Sequence, residues 1–418
     1  MSAMKVVVMG LGYVGLPLAV RAAEVGHVVM GVDQDPTKLE MLLRHRSYVE
    51  DVSDERLAAV VRSGHLRGNS RPNDFRVAVI AVPTPLRGVE PDLSYVLEAG
   101  RMVAERVTRG SAVVLESTTY PGTTEGPLAQ VIEKGSGLVP GQDFHLGYSP
   151  ERIDPGAGSP YTLENTPKLV AATTPEGLHV LRRFYDTIVD TTVPVSSPRI
   201  AEAAKIFENT QANVNIALVN ELAEICHDLD IDVHEMIAAA MTKGHSMAHW
   251  LPGPGVGGHC LPIDPMYLAW QARTTLGRTF RFAELADQVN NERPRYVAAR
   301  AVQLLEERGV AVEGAEVLVL GVAYKPGVGD VRESPAVPLV AELQRRGVRV
   351  VAMDPHVRDW ALTPLLPCSE QRERVQEFPL TIVVTHHPEF DFEEIASLAP
   401  AVLDCRNVVP RTSRVVAL

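Results

Sequence analysis

The stretch "MKVVVMGLGYVGLPLAVRAAEVGHVVMGVD", residues 4–33, carries three signals in a fixed order. Residues 4–9 are a short apolar run, the pattern of a strand buried on both faces of a parallel sheet. Gly10-Leu11-Gly12-Tyr13-Val14-Gly15 follows, and then a helical pattern through about Ala23. "HVVMGVD" (27–33) is a second strand that ends on an acid, Asp33. A G-x-G-x-x-G turn alone is a weak signal. Between a strand and a helix, with an acid closing the next strand, it becomes a dinucleotide-binding fingerprint. Gly10 allows the tight turn, Gly12 the close approach of a pyrophosphate, and Gly15 the packing of helix on strand. The helix N-terminus supplies N–H donors and the positive end of its dipole. Asp33 accepts from a ribose 2′-hydroxyl and repels a 2′-phosphate, so the expected cofactor is NAD rather than NADP.

Outward from this unit, strand patterns recur at "RVAVIAVPTP" (76–85), "SAVVLEST" (111–118), "HLGYSPER" (145–152) and "KLVAAT" (168–173), with helical stretches between. Alternation of this kind predicts a doubly wound parallel sheet, here over residues 1–195. The character then changes. Residues 198–229 form one long helical pattern with Ile200, Ala204, Phe207, Val214, Leu218, Leu222 and Ile225 at helical spacing. More helix is expected at 232–242 and 281–308, which makes 196–310 a helical middle domain. From Glu316 the strands return: "EVLVLGVAYKP" (316–326), "RVVAMDP" (349–355), "LTIVVTHH" (380–387) and "AVLDCRN" (401–407), with a helix at 335–346. Residues 311–418 are therefore a second α/β domain. The predicted class is α/β, with two Rossmann-like doubly wound parallel-sheet domains joined by a helical domain with a long central helix.

Composition narrows the partners. The 418 residues are 45% hydrophobic and 22% charged, with a net charge of −12. No Lys/Arg run is long enough to bind nucleic acid or an anionic membrane. Four cysteines in so long a chain make no disulfide framework and suit a reducing cytoplasm. No stretch is long and apolar enough to span a bilayer.

Candidate chemistry sits in the middle domain. "PGPGVGGHCLPIDP" (252–265) sets Cys260 and Asp264 in a run of Pro and Gly that is expected to be neither helix nor central strand. Gly257 and Gly258 permit close approach of a ligand. Cys260 reads equally as a small buried hydrophobe and as a nucleophile. His259-Cys260 lacks a second ligand pair, so no metal is expected. Lys205 and Asn209 share a helix face, with Asn213 continuing the line. That face is either a solvated stripe or a pair of donors for a developing oxyanion. Thr118 ends a strand, and Glu151 and Arg152 follow one. Lys325 and Arg406 also follow strands and form a candidate anion-binding pair. Arg332 and Glu333 are expected to open a helix.

Together these segments resemble the nucleotide-sugar 6-dehydrogenase family, the relatives of UDP-glucose dehydrogenase. The likeness runs through "GLGYVGLPLA", "AVPTP", "ESTTYPGTT", "YSPERIDPG", "AEAAKIFENT", "PGVGGHCLPIDP", "AYKPGVGDVRESPA" and "DCRN". It implies an N-terminal NAD domain, a dimer-forming middle domain and a C-terminal nucleotide-sugar domain. It also implies oxidation of C6 of a nucleoside-diphosphate hexose to the carboxylate, with two NAD reduced, through a cysteine thiohemiacetal and thioester. On that resemblance Cys260 is the nucleophile and Lys205 and Asn209 hold the oxyanion. Asp264 and Thr118 hold the catalytic water, and Glu151 is a general base. The resemblance extends the cofactor site to Tyr13, Val14, Lys38, Pro83, Thr84, Thr118 and Arg332, the last from a neighbouring subunit. It gives the substrate site Glu151, Arg152, Lys205, Asn209, Gly257, Lys325 and Arg406. Ile263 stands where the glucose branch carries Lys. "PGVGGHCLPIDP" and "ESTTYPGTT" are closer to the N-acetylhexosamine branch, whereas "TKGHSMAHWLPGPG" (242–255) departs from the Lys-Pro-Phe-Gly segment of that branch. UDP- or dTDP-linked glucose and a UDP-N-acetylhexosamine all stay open as substrates. The rival readings are a two-electron hydroxyacid dehydrogenase of the same layout, which needs no cysteine, and a non-catalytic NAD-binding regulator. A cytoplasmic homodimer or higher homo-oligomer is expected.

Overall fold

A computed structural model describes residues 3–153, 161–243, 250–258 and 260–418. The end of "YSPERIDPG", the segment "GHSMAH" and His259 lie outside these residues. The chain packs as two compact units, Met1–Glu208 with Trp270–Gly277, and Asn209–Ala269 with Arg278–Leu418. None of the described helices is long and apolar enough to cross a membrane.

In the first unit the strands are β1 (Lys5–Met9), β2 (Val28–Val32), β3 (Leu66–Asn69), β4 (Val77–Ile80), the short hairpin β5 (Leu86–Arg87) and β6 (Glu90–Pro91), β7 (Ala112–Leu115), β8 (His145–Tyr148), β9 (Lys168–Ala172) and β10 (Thr192–Pro194). The sheet order is β3-β2-β1-β4-β7-β8-β9-β10, with the hairpin apart. The strands stay parallel across β1 and β4, and the winding order switches there, beside the glycine turn. Val6 and Val8 pack into the core on one face, and Val7 and Met9 into the core on the other. Burial on both faces is why these strands read as unbroken apolar runs.

The strands expected over 111–118 and 145–152 end early, at Leu115 and Tyr148, and two larger features also differ from the sequence expectation. The strand expected over 76–85 stops at Ile80, because Pro83 and Pro85 lack the N–H that a ladder needs. The sheet is also not wholly parallel: β9 runs antiparallel to β8, with Tyr148 opposite Ala171. No helix is present in the described part of the β8–β9 connection. A parallel return needs such a crossover.

In the second unit β11 (Glu316–Leu320), β12 (Arg349–Met353), β13 (Leu365–Leu366), β14 (Thr381–Val383), β15 (Val402–Asp404) and β16 (Val415–Ala417) form an all-parallel sheet in the order β13-β12-β11-β14-β15-β16. The helix Arg281–Glu307 is part of its core: Val297, Ala301, Leu304 and Leu305 pack with Val317 and Val319. The helix expected at 335–346 begins at Ala336, so Arg332 and Glu333 lie in the turn before it rather than opening it. Glu333 has φ +50°, a left-handed conformation no helix tolerates.

The long helix runs Pro198–Asp228. Its apolar spacing is as expected but faces outward: Ile200, Phe207, Leu218 and Ile225 are exposed, Phe207 by 66%. The buried positions include Glu202, Lys205, Asn213 and Asn220. The inward side thus mixes these polar groups with Ala201, Ile206, Ala217, Val219, Ala223 and Cys226.

Candidate active site

The crevice of the first unit fits a dinucleotide. Gly10 has φ +90°, and a Cβ there would lie 2.5 Å from the Ala81 carbonyl oxygen across the switch point. A Cβ on Gly15 would lie 1.8 Å from the Gly10 oxygen, whereas one on Gly12 would meet nothing within 4 Å. Two of these glycines are thus required by packing, and the third leaves room for a ligand. The helix Gly15–Glu24 has Val14 as N-cap with no side-chain hydrogen bond and no acid in its first turn. Leu16 and Leu18 donate to the Gly12 and Val14 carbonyls and Pro17 has no N–H, so what this end offers an anion is chiefly the positive end of its dipole. Asp33 accepts from the Leu11 N–H at 2.8 Å and from Lys38 Nζ at 3.0 Å through Oδ2, and from the Asp35 N–H at 2.9 Å through Oδ1. An ionised carboxylate accepts about four bonds, so Oδ1 keeps capacity for a ribose hydroxyl. Pro83 is exposed and Thr84 buried in the turn after β4, and Thr118 is half-buried after β7.

Two buried acids shape the rest of this unit. Glu202, in the first turns of the long helix, accepts from the Gly122 N–H (2.5 Å), the Thr124 N–H (2.9 Å) and the Thr124 hydroxyl (2.7 Å). This ties the loop that follows Thr118 to the helix that carries Lys205. Lys205 is buried, and among the described residues no carboxylate pairs with it. Glu151 accepts from the Arg152 and Ile153 N–H groups at 2.7 and 3.0 Å and pairs with Lys168 at 2.9 Å. Arg152 uses all its guanidinium nitrogens on the protein: two on Glu208 at 3.1 and 2.6 Å and one on the Pro167 carbonyl at 2.9 Å. It is a strut between the Glu151 turn and the long helix.

The second unit carries the cysteine loop. The Cys260 carbonyl accepts from the Ile263 and Asp264 N–H groups at 3.2 and 2.8 Å, and Asp264 opens the helix Asp264–Leu276. Cys260 is exposed in the turn that leads into this helix. The buried Asp264 carboxylate accepts from Asn209 Nδ2 at 2.5 Å. Cβ atoms on Gly257 and Gly258 would lie 2.9 and 2.7 Å from Tyr324, so only glycine lets the loop lie on this residue, next to Lys325. A Cβ on Gly253 would lie 2.8 Å from Arg406 Nη1. Arg406 itself donates Nε to the Val384 carbonyl at 2.7 Å. The loop, Lys325 and Arg406 are thus brought together in one unit. Arg332 instead pairs through two nitrogens with Asp330, the closest contact at 2.6 Å.

Sequence reasoning missed how this loop is held. Asn290 Nδ2 donates to Asn213 Oδ1 (2.8 Å), Asn220 Nδ2 donates to Asn290 Oδ1 (3.0 Å), and Asn220 Oδ1 accepts the Gly253 N–H (2.9 Å). Buried Arg293 completes the grip, donating Nε to the Gly253 carbonyl at 3.0 Å and Nη1 to Glu224 at 2.9 Å. Asn213 thus belongs to a ladder that fixes the loop rather than to the Lys205–Asn209 line. Each lost rung would leave a buried polar group unpaired, at about 1–3 kcal/mol.

Ligand-type side chains also gather elsewhere. His356, His387 and Glu389 bring ligand atoms within 4.8 Å of one another. His387 Nδ1 accepts the Gly327 N–H at 3.2 Å, however, and Nε2 lies 3.1 Å from Asp354 Oδ2. With both ring nitrogens engaged, the group is a hydrogen-bonded chain. The remaining cysteines differ from Cys260. Cys226 and Cys405 are buried and Cys368 half-buried, and burial pushes the thiols of Cys368 and Cys405 up to about 11 and 12.

Comparison with known proteins identifies the family. Models of the UDP-glucose/GDP-mannose dehydrogenase family match residues 4–189 (NAD binding domain), 199–292 (central domain) and 318–411 (UDP binding domain). The chain belongs to this family. It is 34% identical to the UDP-N-acetyl-D-mannosamine dehydrogenase of Pyrococcus horikoshii over 97% of this chain and 96% of the relative. It is 35% identical to a UDP-N-acetyl-D-glucosamine 6-dehydrogenase of Pseudomonas aeruginosa over 87% of each. The solved structure of UDP-D-ManNAc dehydrogenase from Pyrococcus horikoshii superposes with a TM-score of 0.89 at 32% identity, covering 99% of this chain and 98% of that one. The protein is accordingly an NAD-dependent nucleotide-sugar dehydrogenase, and Gly10, Gly12, Gly15 and Asp33 lie in its NAD binding domain.

Proposed function

We propose that the protein oxidises C6 of a UDP-linked N-acetylhexosamine to the uronic acid through a covalent intermediate on Cys260. The observation that carries this is the exposed Cys260 thiol at a helix start whose Asp264 is bonded to Asn209. NAD, when bound, is the hydride acceptor. Loss of hydride and a proton from the C6 alcohol leaves an aldehyde. The Cys260 thiolate adds to it, and Lys205 and Asn209 donate to the oxyanion of the thiohemiacetal. Loss of a second hydride gives a thioester, and water released onto it by Asp264 and Thr118 yields the carboxylate and the free thiol. Glu151 serves as a fixed negative charge, because a carboxylate held by Lys168 and two backbone N–H groups is a poor proton acceptor. Lys325 and Arg406, beside the glycine loop, take the diphosphate. The names of the relatives and Ile263, in place of a lysine, favour the N-acetylhexosamine over glucose.

The assembly is a homodimer or larger. Support comes from the outward apolar stripe of the long helix, which a second copy would cover. The cytoplasm is the compartment, in keeping with an NAD enzyme whose cysteines are all free.

The test is NADH formed per sugar, with UDP-N-acetylmannosamine, UDP-N-acetylglucosamine, UDP-glucose and dTDP-glucose compared. Two NADH per sugar are expected, and Cys260→Ala should abolish carboxylate formation. One NADH per sugar, or full activity of Cys260→Ala, would favour a two-electron dehydrogenase.

A further inference from the structure

Glu116, Lys168, Glu151 and Tyr185 form a buried cluster in the first unit that the reaction above leaves without a full account. The antiparallel course of β9 creates it. With Tyr148 opposite Ala171, the first residue of β9, Lys168, comes to the edge where β8 ends and Glu151 follows. Lys168 Nζ lies 2.9 Å from Glu151 Oε2 and 3.4 Å from Glu116 Oε2, and donates to the Pro150 carbonyl at 3.3 Å. Glu116 follows β7, two residues before Thr118, and its Oε1 accepts from the hydroxyl of Tyr185 at the end of the helix Pro175–Tyr185. Lys168 and Glu116 are each 2% exposed and the Glu151 side chain 10%, so two carboxylates share one ammonium that is itself out of water.

The two carboxylates are not equivalent. Glu151 has the shorter contact to Lys168 and two backbone N–H donors. Glu116 has the longer contact and one phenol, and its buried Oε2 has no hydrogen-bond partner. Burial pushes the Glu116 carboxyl up to about 7 in spite of Lys168. Burial also opposes the ionisation of Glu151, but Lys168 and the two N–H groups outweigh it and hold that carboxyl below its ordinary value. Two neighbouring acids pushed apart in this way divide the labour of holding a proton and holding a charge.

We propose that Glu116 is the member of this cluster that takes up and releases a proton, and that Lys168 passes its charge on to Glu151, making Glu116 and Lys168 positioning residues for the oxidation. The proton adds to Oε2 of Glu116. The Lys168 ammonium, no longer shared, then neutralises Glu151 alone; when the proton leaves, the ammonium is divided again and Glu151 carries more net charge. The groups that face Glu116 are Lys168 from β9, Glu151 from the turn after β8 and Tyr185 from its helix. The role for the oxidation rests on the reading of Glu151 given above.

The experiment compares wild type with Glu116→Gln, Lys168→Arg and Lys168→Met in two readouts. In kcat against pH, wild type should show an ionisation near pH 7. Glu116→Gln lacks it, with KM for the nucleotide sugar within about twofold. Lys168→Arg keeps it, and Lys168→Met, which strands Glu151 without a counter-ion, lowers kcat at neutral pH on the order of tenfold. Thermal unfolding of the NAD-loaded protein reads the same group without turnover. The folded chain holds a proton on Glu116 that the unfolded chain releases, so wild-type stability declines as pH rises from the ordinary carboxylate range to about 7 and levels off above it. Glu116→Gln lacks this decline. Coincident wild-type and Glu116→Gln curves in either readout overturn the proposal. Absence of turnover on every nucleotide sugar in wild type overturns the functional reading instead, and the unfolding curves then decide whether Glu116 titrates.

Discussion

Asp354 illustrates what a single residue can do that its sequence context hides. It follows β12 as Asp33 follows β2, and Oδ2 accepts the Val322 and Ala323 N–H groups at 2.7 and 3.0 Å. Oδ1 accepts from His356 and Val357, and His387 faces Oδ2. Burial alone would raise its pKa; the His387 contact and the N–H groups outweigh this and hold it at about 2. The sign follows from that depression. The stability it contributes is full above the ordinary carboxylate value and is lost as pH falls through about 2. Asp354→Asn should cost ~2 kcal/mol at pH 7, and the deficit should vanish near pH 2, as measured by denaturant unfolding across pH. At this scale the sequence was legible where a motif fixed the context, as at Gly10 and Gly15, where a Cβ would meet neighbouring backbone. Asp354, Glu202 and Arg293 were illegible, because their partners Ala323, Thr124 and Gly253 lie 31, 78 and 40 residues away.

At the scale of elements, the long helix shows the limit of periodicity. Spacing identified Pro198–Asp228 as a helix with an apolar face, and it is one. Periodicity does not say what the face meets. Here the inward side carries Glu202, Lys205, Asn213 and Asn220, and Ile200, Phe207, Leu218 and Ile225 look out. The buried side is mixed because Asn213 and Asn220 hold the Gly253 loop while Ile206, Val219 and Ala223 are buried with them. Phe207→Asp should place a charge on the proposed contact between copies and shift the protein toward monomer. Light scattering after size exclusion reads this directly, and an unchanged mass would remove the stripe from the interface. The central strands were legible as apolar runs. β3, with Arg67 and Asn69 in its four residues, was not: it is an edge strand with half of its polar groups in solvent. The reversal of β9 left no local trace, because an antiparallel and a parallel strand of five apolar residues read alike.

Across the whole molecule the two sheets use the same device. Gly10 at φ +90° donates its N–H to Val32 and presses on Ala81; Gly321 at φ +79° donates to Met353 and presses on Thr385, where a Cβ would lie 2.2 Å from the carbonyl oxygen. The first turn continues into the full G-x-G-x-x-G and the second does not, which is why only one was legible as a cofactor site. Gly10→Ala should therefore abolish NAD binding, measured by fluorescence titration, along with disturbing the fold locally. Gly321→Ala should instead lower stability with no route through the cofactor.

The unequal burial of the four thiols has a practical consequence. Cys260 alone is exposed, and burial holds Cys368 and Cys405 far toward the unreactive thiol form. In the folded protein a maleimide at neutral pH should therefore consume one equivalent per chain quickly, and the rest only after unfolding. On the proposed role of Cys260, that first equivalent counts competent active sites, and bound nucleotide sugar should slow its uptake. A preparation can thus be calibrated by mass spectrometry before any rate is measured, so that activity is expressed per working site rather than per milligram.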